Sequence, residues 1–372
     1  MKVKDRILPI TATIAILAGA IAAANAAPER NTANPLRVGL FPAGNGKVEV
    51  QVTNTSKKTA RIPRWQLPEE ILQQNLFRVS RDGKPLRYEG AMVKRAVPTA
   101  SEFAILRPGQ TWRNVVDLAA TYDMSQRGDY TISLASPLQF ASLSGGERLL
   151  SKRGSPMVLE SAPLRVWHDA TIKPFAHQLD ANVQAAFECH PRKPLCPHRN
   201  TDPVKFVGCS ASRVTELNQA IAAARNYSEN SKGYLTAGTT GPRYTTWFGA
   251  YTSSRYATAQ SQFAAIDVAM DQNNGQITIN CGCSSSAYAY VYPGRHYQIF
   301  VCNAFWSAPM TGTDSKAGTL IHEMSHFNVV AGTDDHVYGQ TGAKNLAISN
   351  PTAALNNADN HEYFAENTPS QN

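Results

Sequence analysis

Charged residues are sparse in this 372-residue chain: Asp, Glu, Lys and Arg make up 17%, against 42% hydrophobic residues. That balance excludes an intrinsically disordered protein, which needs low hydrophobicity and high charge. Long apolar runs are missing beyond the first few dozen residues. No later stretch approaches the roughly 20 apolar residues of a membrane-spanning helix, so no membrane span is expected. Blocks of clustered Lys and Arg with interleaved aromatics are missing too, which speaks against a nucleic-acid partner. The formal net charge of +8 hides an asymmetry. From Lys205 onward 9 Lys and Arg stand against 11 Asp and Glu, a balance of −2, and the remaining 27 against 17 give +10.

What is present begins with a targeting signature. Lys2, Lys4 and Arg6 precede an apolar, Ala-rich run from Ile7 to Ala23, and Ala24-Asn25-Ala26 has the small-residue pattern of a cleavage site. The expectation is a signal peptide over residues 1–26 and a secreted, extracellular product beginning at Ala27. Cysteine is absent before residue 189, and then six follow: Cys189, Cys196, Cys209, Cys281, Cys283 and Cys302. An even count in an exported chain points to disulfides, with the pairing open. Near Cys189 and Cys196, His190 and His198 leave a metal cluster as an alternative.

Residues 27–165 read as an all-β, sandwich-like domain. Val48, Val50 and Val52 alternate in a strand, and Ala43-Gly44-Asn45-Gly46 marks the turn before it. Short strand-like runs follow at 77–79, 111–116 and 130–134, separated by Asp82-Gly83, Pro108-Gly109 and Gly128-Asp129. No motif in this region carries chemistry. Residues 166–204 are rich in Pro and charge and read as a linker open to proteolysis, with Val204–Lys205 a candidate processing bond.

Residues 205–372 read as a separate α+β domain. Leu217, Ala220, Ile221 and Ala224 mark one helix, and Ala257, Phe263, Ile266 and Met270 a second. Strand-like runs at 277–279, 287–292 and 298–302 suggest a small antiparallel sheet, whose edge could hold an extended peptide by strand addition. Trp247, Phe248 and the alternating Tyr288, Tyr290 and Tyr292 read as core and sheet face.

A third helix carries the chemistry. His322-Glu323-Met324-Ser325-His326 places two imidazoles one turn apart on one face, where both can reach one Zn²⁺. Zinc lowers the pKa of a bound water to about 7, and Glu323 is placed to take its proton without being a ligand. Leu320, Ile321, Met324, Phe327 and Val330 recur at helical spacing. Thr313 or Asp314 is expected to cap the start, and Gly332 to stop the helix. The spacing excludes a ligand set with Gly at Val329 and His at Gly332. A downstream acid, Glu362 or Glu366, and the nearer Asp335 remain as third-ligand candidates.

The helix is followed by Gly332-Thr333-Asp334-Asp335-His336-Val337-Tyr338-Gly339. HExxH followed by GTxDxxYG resembles the aspzincin family of deuterolysins and peptidyl-Lys metalloendopeptidases. The resemblance implies an α+β zincin catalytic domain preceded by a pro-region. It implies one Zn²⁺ per chain on His322, His326 and Asp335, with Glu323 as general base and Tyr338 as oxyanion donor. It implies disulfides Cys209–Cys281 and Cys283–Cys302, leaving Cys189–Cys196 as a local pair. Asp359 and Glu362 match the positions that hold a lysine ammonium in lysine-specific members, whereas Glu366 reads as structural. The expected activity is cleavage of Xaa–Lys bonds in protein and peptide substrates. The chain's own pro-domain is the expected inhibitor or chaperone, and the enzyme a monomer. The alternatives are a broad-specificity protease and an exported β-domain adhesin with an inactive zincin tail.

Overall fold

Strict alternation sets the first strands: Val48, Val50 and Val52 are buried while Glu49, Gln51 and Thr53 face the half-exposed side. The computed structural model describes residues 34–151, 154–169, 204–272 and 275–372. The expected signal peptide, the Cys189–Cys196 pair and nearly all of the expected linker lie outside the described residues. Strand β2 (Lys47–Asn54) pairs antiparallel with β1 (Leu36–Gly44) and β8 (Thr111–Asp117). The β1–β2 turn takes positive φ at Gly44, Asn45 and Gly46, a conformation that Gly and Asn adopt at low cost.

Two further small antiparallel sheets complete the N-terminal region. One contains β3 (Ala60–Pro63), β7 (Phe103–Leu106), β10 (Ser142–Leu143) and β11 (Glu147–Arg148). The other contains β4 (Phe77–Arg81), β5 (Lys84–Pro85), β9 (Gly128–Pro137) and β12 (Val158–Glu160), with β13 (Leu164–His168) also on β9.

The fourth sheet joins the two halves of the sequence. Its order is β14 (Lys205–Val207), β15 (Thr278–Asn280), β17 (Gln298–Val301), β16 (Ala289–Val291) and β6 (Met92–Lys94). The sheet is mixed rather than purely antiparallel. β14 pairs parallel with β15, and β15 with β17, whereas β16 runs antiparallel to both its neighbours. Parallel pairing of β14 and β15 needs a long crossover. Helices α1 (Ala211–Thr236), α2 (Pro242–Phe248) and α3 (Ser253–Met270) supply it. Disulfides Cys209–Cys281 and Cys283–Cys302 form as expected and tie the ends of these strands.

Short helix α4 (Asn303–Ser307) leads to α5 (Lys316–His326), which carries HExxH and has all 11 residues buried. It packs on α1, α3 and β16, and on the last helix, α8 (Ala358–Glu366). Leu320, Ile321, Met324 and Phe327 are no more than 1% exposed. Burying each contributes about 1.5–3 kcal/mol, so the helix is held by packing on all sides. Its cap is Ser315, whose hydroxyl accepts from Gly318 N at 2.9 Å, not Thr313 or Asp314. The helix ends at His326, and Gly332, with φ +61°, turns the chain five residues later than a helix stop would. Helices α6 (Gly339–Ser349) and α7 (Pro351–Ala354) close the fold. Trp247 and Phe248 are core, and Tyr290 stacks on Phe300 at 4.6 Å on the sheet face.

A candidate metal centre beside an anionic socket

The loop after α5 folds back onto it. Thr333 N donates to Ser325 O at 3.1 Å, and the Ser325 and Thr333 hydroxyls bond at 2.6 Å. This return carries Asp335 against the two histidines. Asp335 Oδ1 lies 3.2 Å from His322 Nε2 and 3.5 Å from His326 Nε2, and all three side chains are fully buried. His326 Nδ1 lies 3.0 Å from Thr333 O, which orients the ring so that Nε2 faces the aspartate.

These contacts lack hydrogen-bond geometry. His322 Nε2, His326 Nε2 and both Asp335 oxygens are buried with no hydrogen-bond partner among the described residues. Burying so many polar atoms unpaired is costly, and a cation at their meeting point removes the cost. The three ligand atoms lie within 4.8 Å of one another. Two imidazole nitrogens and one carboxylate fit a divalent ion such as zinc and leave a fourth position open. Burial pushes the Asp335 carboxyl up, but the two imidazoles outweigh it and hold it below the usual carboxylate range.

Glu323 is 0% exposed, and neither of its oxygens has a hydrogen-bond partner among the described residues. Burial pushes its carboxyl well above the ordinary value. Burial also holds the Tyr338 phenol well above its ordinary value, so it is protonated and can donate. Its hydroxyl donates to Val93 O at 3.0 Å. The remaining loop residues serve the turn. His336 N and Val337 N donate to Asn357 Oδ1 at 2.8 and 3.1 Å, and Asp334 Oδ1 accepts from Asp335 N at 2.8 Å.

Helix α8 brings Asp359 and Glu362 to the other side of His322. Asp359 Oδ1 lies 2.9 Å and Glu362 Oε2 3.3 Å from His322 Nδ1. Between them sits an ammonium that the sequence did not point to. Lys94 Nζ lies 2.6 Å from Glu362 Oε2, 3.6 Å from Asp359 Oδ1 and 3.4 Å from Asp314 Oδ1. Burial lowers the lysine pKa, but the three carboxylates overcome it and raise it well above the ordinary value, so the group is charged. Asp359 responds in kind: burial raises it, and Lys94 with His322 brings it down to about 2. The Tyr288 ring lies 5.0 Å from Lys94 Nζ and gives the pocket a cation–π wall. Tyr288 therefore faces this pocket rather than serving only the sheet.

The seven side chains singled out in the sequence, His322, Glu323, His326, Asp335, Tyr338, Asp359 and Glu362, lie on or beside helices α5 and α8 and the loop between Phe327 and Gly339. Lys94 was not singled out in the sequence, and Asp314 and Tyr288 were read in other roles. Asp314, expected as a helix cap, has φ +51° and is turned toward the pocket, where Tyr363 Oη donates to its Oδ1 at 2.7 Å. The one signal for Lys94 was an Xaa–Lys bond in the apolar run Ala91-Met92-Val93, inside a region read as chemically silent. Glu366 is structural as expected, accepting from Asp314 N, Ser315 N and Ser315 Oγ.

Residues 234–366 match the aspzincin family profile, described as lysine-specific metallo-endopeptidase. An extracellular protease of Aeromonas hydrophila is 41% identical over 330 residues, covering 88% of this chain and 89% of that protein. A peptidyl-Lys metalloendopeptidase of Grifola frondosa is 36% identical over 340 residues, again covering 88% of this chain and 89% of its own length. The solved zinc peptidase from Grifola frondosa is 46% identical, covers 44% of this chain and 100% of its own, and aligns with a TM-score of 0.42.

Proposed function

We propose, since the chain belongs to the aspzincin family and is a metallo-endopeptidase, that it is a secreted zinc enzyme cutting peptide bonds on the N-terminal side of lysine. The enzyme is made as a pre-pro-protein, with the β-rich N-terminal region as an inhibitory pro-domain and residues 205–372 as the catalytic domain. Secretion is supported by the extracellular relative, the targeting signature and two disulfides, bonds that persist in oxidising compartments.

His322, His326 and Asp335 would hold one zinc ion per chain. The ion supplies Lewis-acid activation of a water molecule and of the scissile carbonyl. The protein's residues do the rest. Glu323 accepts the proton of the attacking water and passes it to the leaving amine. Tyr338 donates to the carbonyl oxygen as negative charge grows there. Asp359 and Glu362 hold the ammonium of the residue after the scissile bond. They sit beside His322, so the lysine that is bound is the lysine next to the bond that breaks.

The observation that supports the specificity is the fully buried Lys94 ammonium held between Asp359 and Glu362, a lysine side chain already seated in the socket. An apolar side chain there would leave two buried carboxylates unpaired, and losing one partner of such a pair costs roughly 2–5 kcal/mol. The test is a cleavage-site map of one denatured protein. Cuts confined to bonds preceding lysine support the proposal. Cuts spread over apolar or acidic positions would replace it with a broad-specificity protease.

A further inference from the structure

The N-terminal region reaches the site with one strand, and that strand has the features of a bound peptide. β6 lies antiparallel on β16, with Met92 opposite Val291, Val93 opposite Tyr290 and Lys94 opposite Ala289. Tyr288 N donates to Lys94 O at 2.9 Å, extending the ladder by one bond. Without β6, β16 would be the edge of the fourth sheet and free to pair with an extended chain.

The side chains fall in cleavage register. Lys94 fills the anionic socket, so the bond before it is Val93–Lys94. The carbonyl of that bond belongs to Val93, and it is the group that accepts from the Tyr338 hydroxyl at 3.0 Å. Val93 itself turns to the opposite face and packs on Ala287 and Cys302, beside Cys283 and Tyr290. One dipeptide thus engages the socket, the carbonyl donor and an apolar patch at the Cys283–Cys302 bridge. Chance docking of an unrelated strand would not be expected to satisfy all three at once.

Anchors on either side hold the strand there. Gln74 Nε2 donates to Asp335 O at 3.0 Å, and Asn75 Nδ2 donates to Asp334 Oδ2 at 2.6 Å. Gln139 clasps the Tyr338 backbone, accepting from its N–H at 2.6 Å and donating to its carbonyl. All four bonds, from three side chains, fall on the loop that carries Asp335 and Tyr338.

We propose that Met92–Lys94 is an internal mimic of a lysine substrate, bound along β16 with Val93–Lys94 in the place of the scissile bond, so that a lysine peptide enters only after this strand leaves. The inference rests on the lysine-specific reading above and adds the occupant, the docking strand and two further pocket walls, Asp314 and Tyr288.

The test uses the full-length, zinc-loaded Glu323→Gln chain, in which no bond is cut during the measurement. A fluorescent peptide containing Ala-Val-Lys-Ala is titrated and its anisotropy followed. Lys94→Met in that background should tighten binding at least about tenfold, because the occupied state no longer competes. Adding Asp359→Asn should abolish the gain. A second measurement needs no change at Lys94: amine acetylation followed by mass spectrometry should label exposed Lys57 far faster than Lys94. Equal peptide affinity with and without Lys94→Met, both lost with Asp359→Asn, would overturn the mimic and leave lysine specificity standing. Equal labelling of Lys57 and Lys94 would likewise overturn it. No lysine-dependent binding in any variant would sink the specificity reading and the mimic together.

Discussion

The Glu366 carboxylate accepts from both the amide and the hydroxyl of Ser315, each at 2.8 Å, and so fastens the end of α8 to the cap of α5. The helix carrying His322 and His326 and the helix carrying Asp359 and Glu362 are thereby set against each other at one point. A Cβ at Gly318 would run into this carboxylate, which explains a glycine in the first turn of a buried helix. Glu366→Ala leaves buried donors unpaired, and each such donor costs roughly 1–3 kcal/mol. The denaturation midpoint of the full-length Glu323→Gln chain should fall accordingly. An unchanged midpoint would remove Glu366 from this role.

Neither Glu323 oxygen has a hydrogen-bond partner among the described residues, so its loss should be chemical rather than structural. Glu323→Gln keeps shape and volume but cannot take a proton. Turnover on a lysine peptide should fall by at least roughly 10²–10⁴-fold, while zinc content stays at one per chain. Residual activity near the unaltered level would assign the base elsewhere.

Specificity and catalysis should separate at α8. Asp359→Asn combined with Glu362→Gln removes the socket's charge and leaves the three proposed metal ligands, His322, His326 and Asp335, unsubstituted. The preference for lysine over leucine after the scissile bond should drop by tenfold to thousandfold, the scale of about 2–5 kcal/mol. Parallel loss of activity on both peptides, with their ratio preserved, would count against the socket.

The disulfides should matter for stability more than for chemistry. Cys283–Cys302 closes a short loop, with a sequence separation of 19, and Cys209–Cys281 a longer one of 72. Chain-entropy arguments give losses of about 3 and about 4 kcal/mol respectively when each pair is replaced by alanine. Thermal unfolding of the two double variants checks the order. A larger loss from the shorter loop would point to packing at Cys302, which is fully buried, as the greater contribution.

The site proved more legible in the sequence than the region that covers it. HExxH and GTxDxxYG are local: helical spacing fixes where His322 and His326 point, and a nine-residue return is enough to bring Asp335 back. Asp359 and Glu362 lie one turn apart on one short helix, so their shared direction also follows from spacing. Strands β2, β4, β8 and β9 were readable from alternation and turns. β6 was not, because three residues carry no periodicity, and because its partner β16 lies nearly 200 positions away in sequence. Asp314 shows the same limit. Local propensity makes it a helix cap, and tertiary packing gives that role to Ser315 instead.

The account depends most on three side chains sharing one ion, and X-ray absorption at the zinc edge reads that directly. The zinc-loaded Glu323→Gln chain should show two imidazole nitrogens at about 2.0–2.1 Å and oxygen ligands at about 2.0–2.2 Å, with no sulfur. Asp335→Ala should abolish stoichiometric zinc binding. A sulfur shell at about 2.3 Å, or full zinc occupancy in Asp335→Ala, would contradict the assignment.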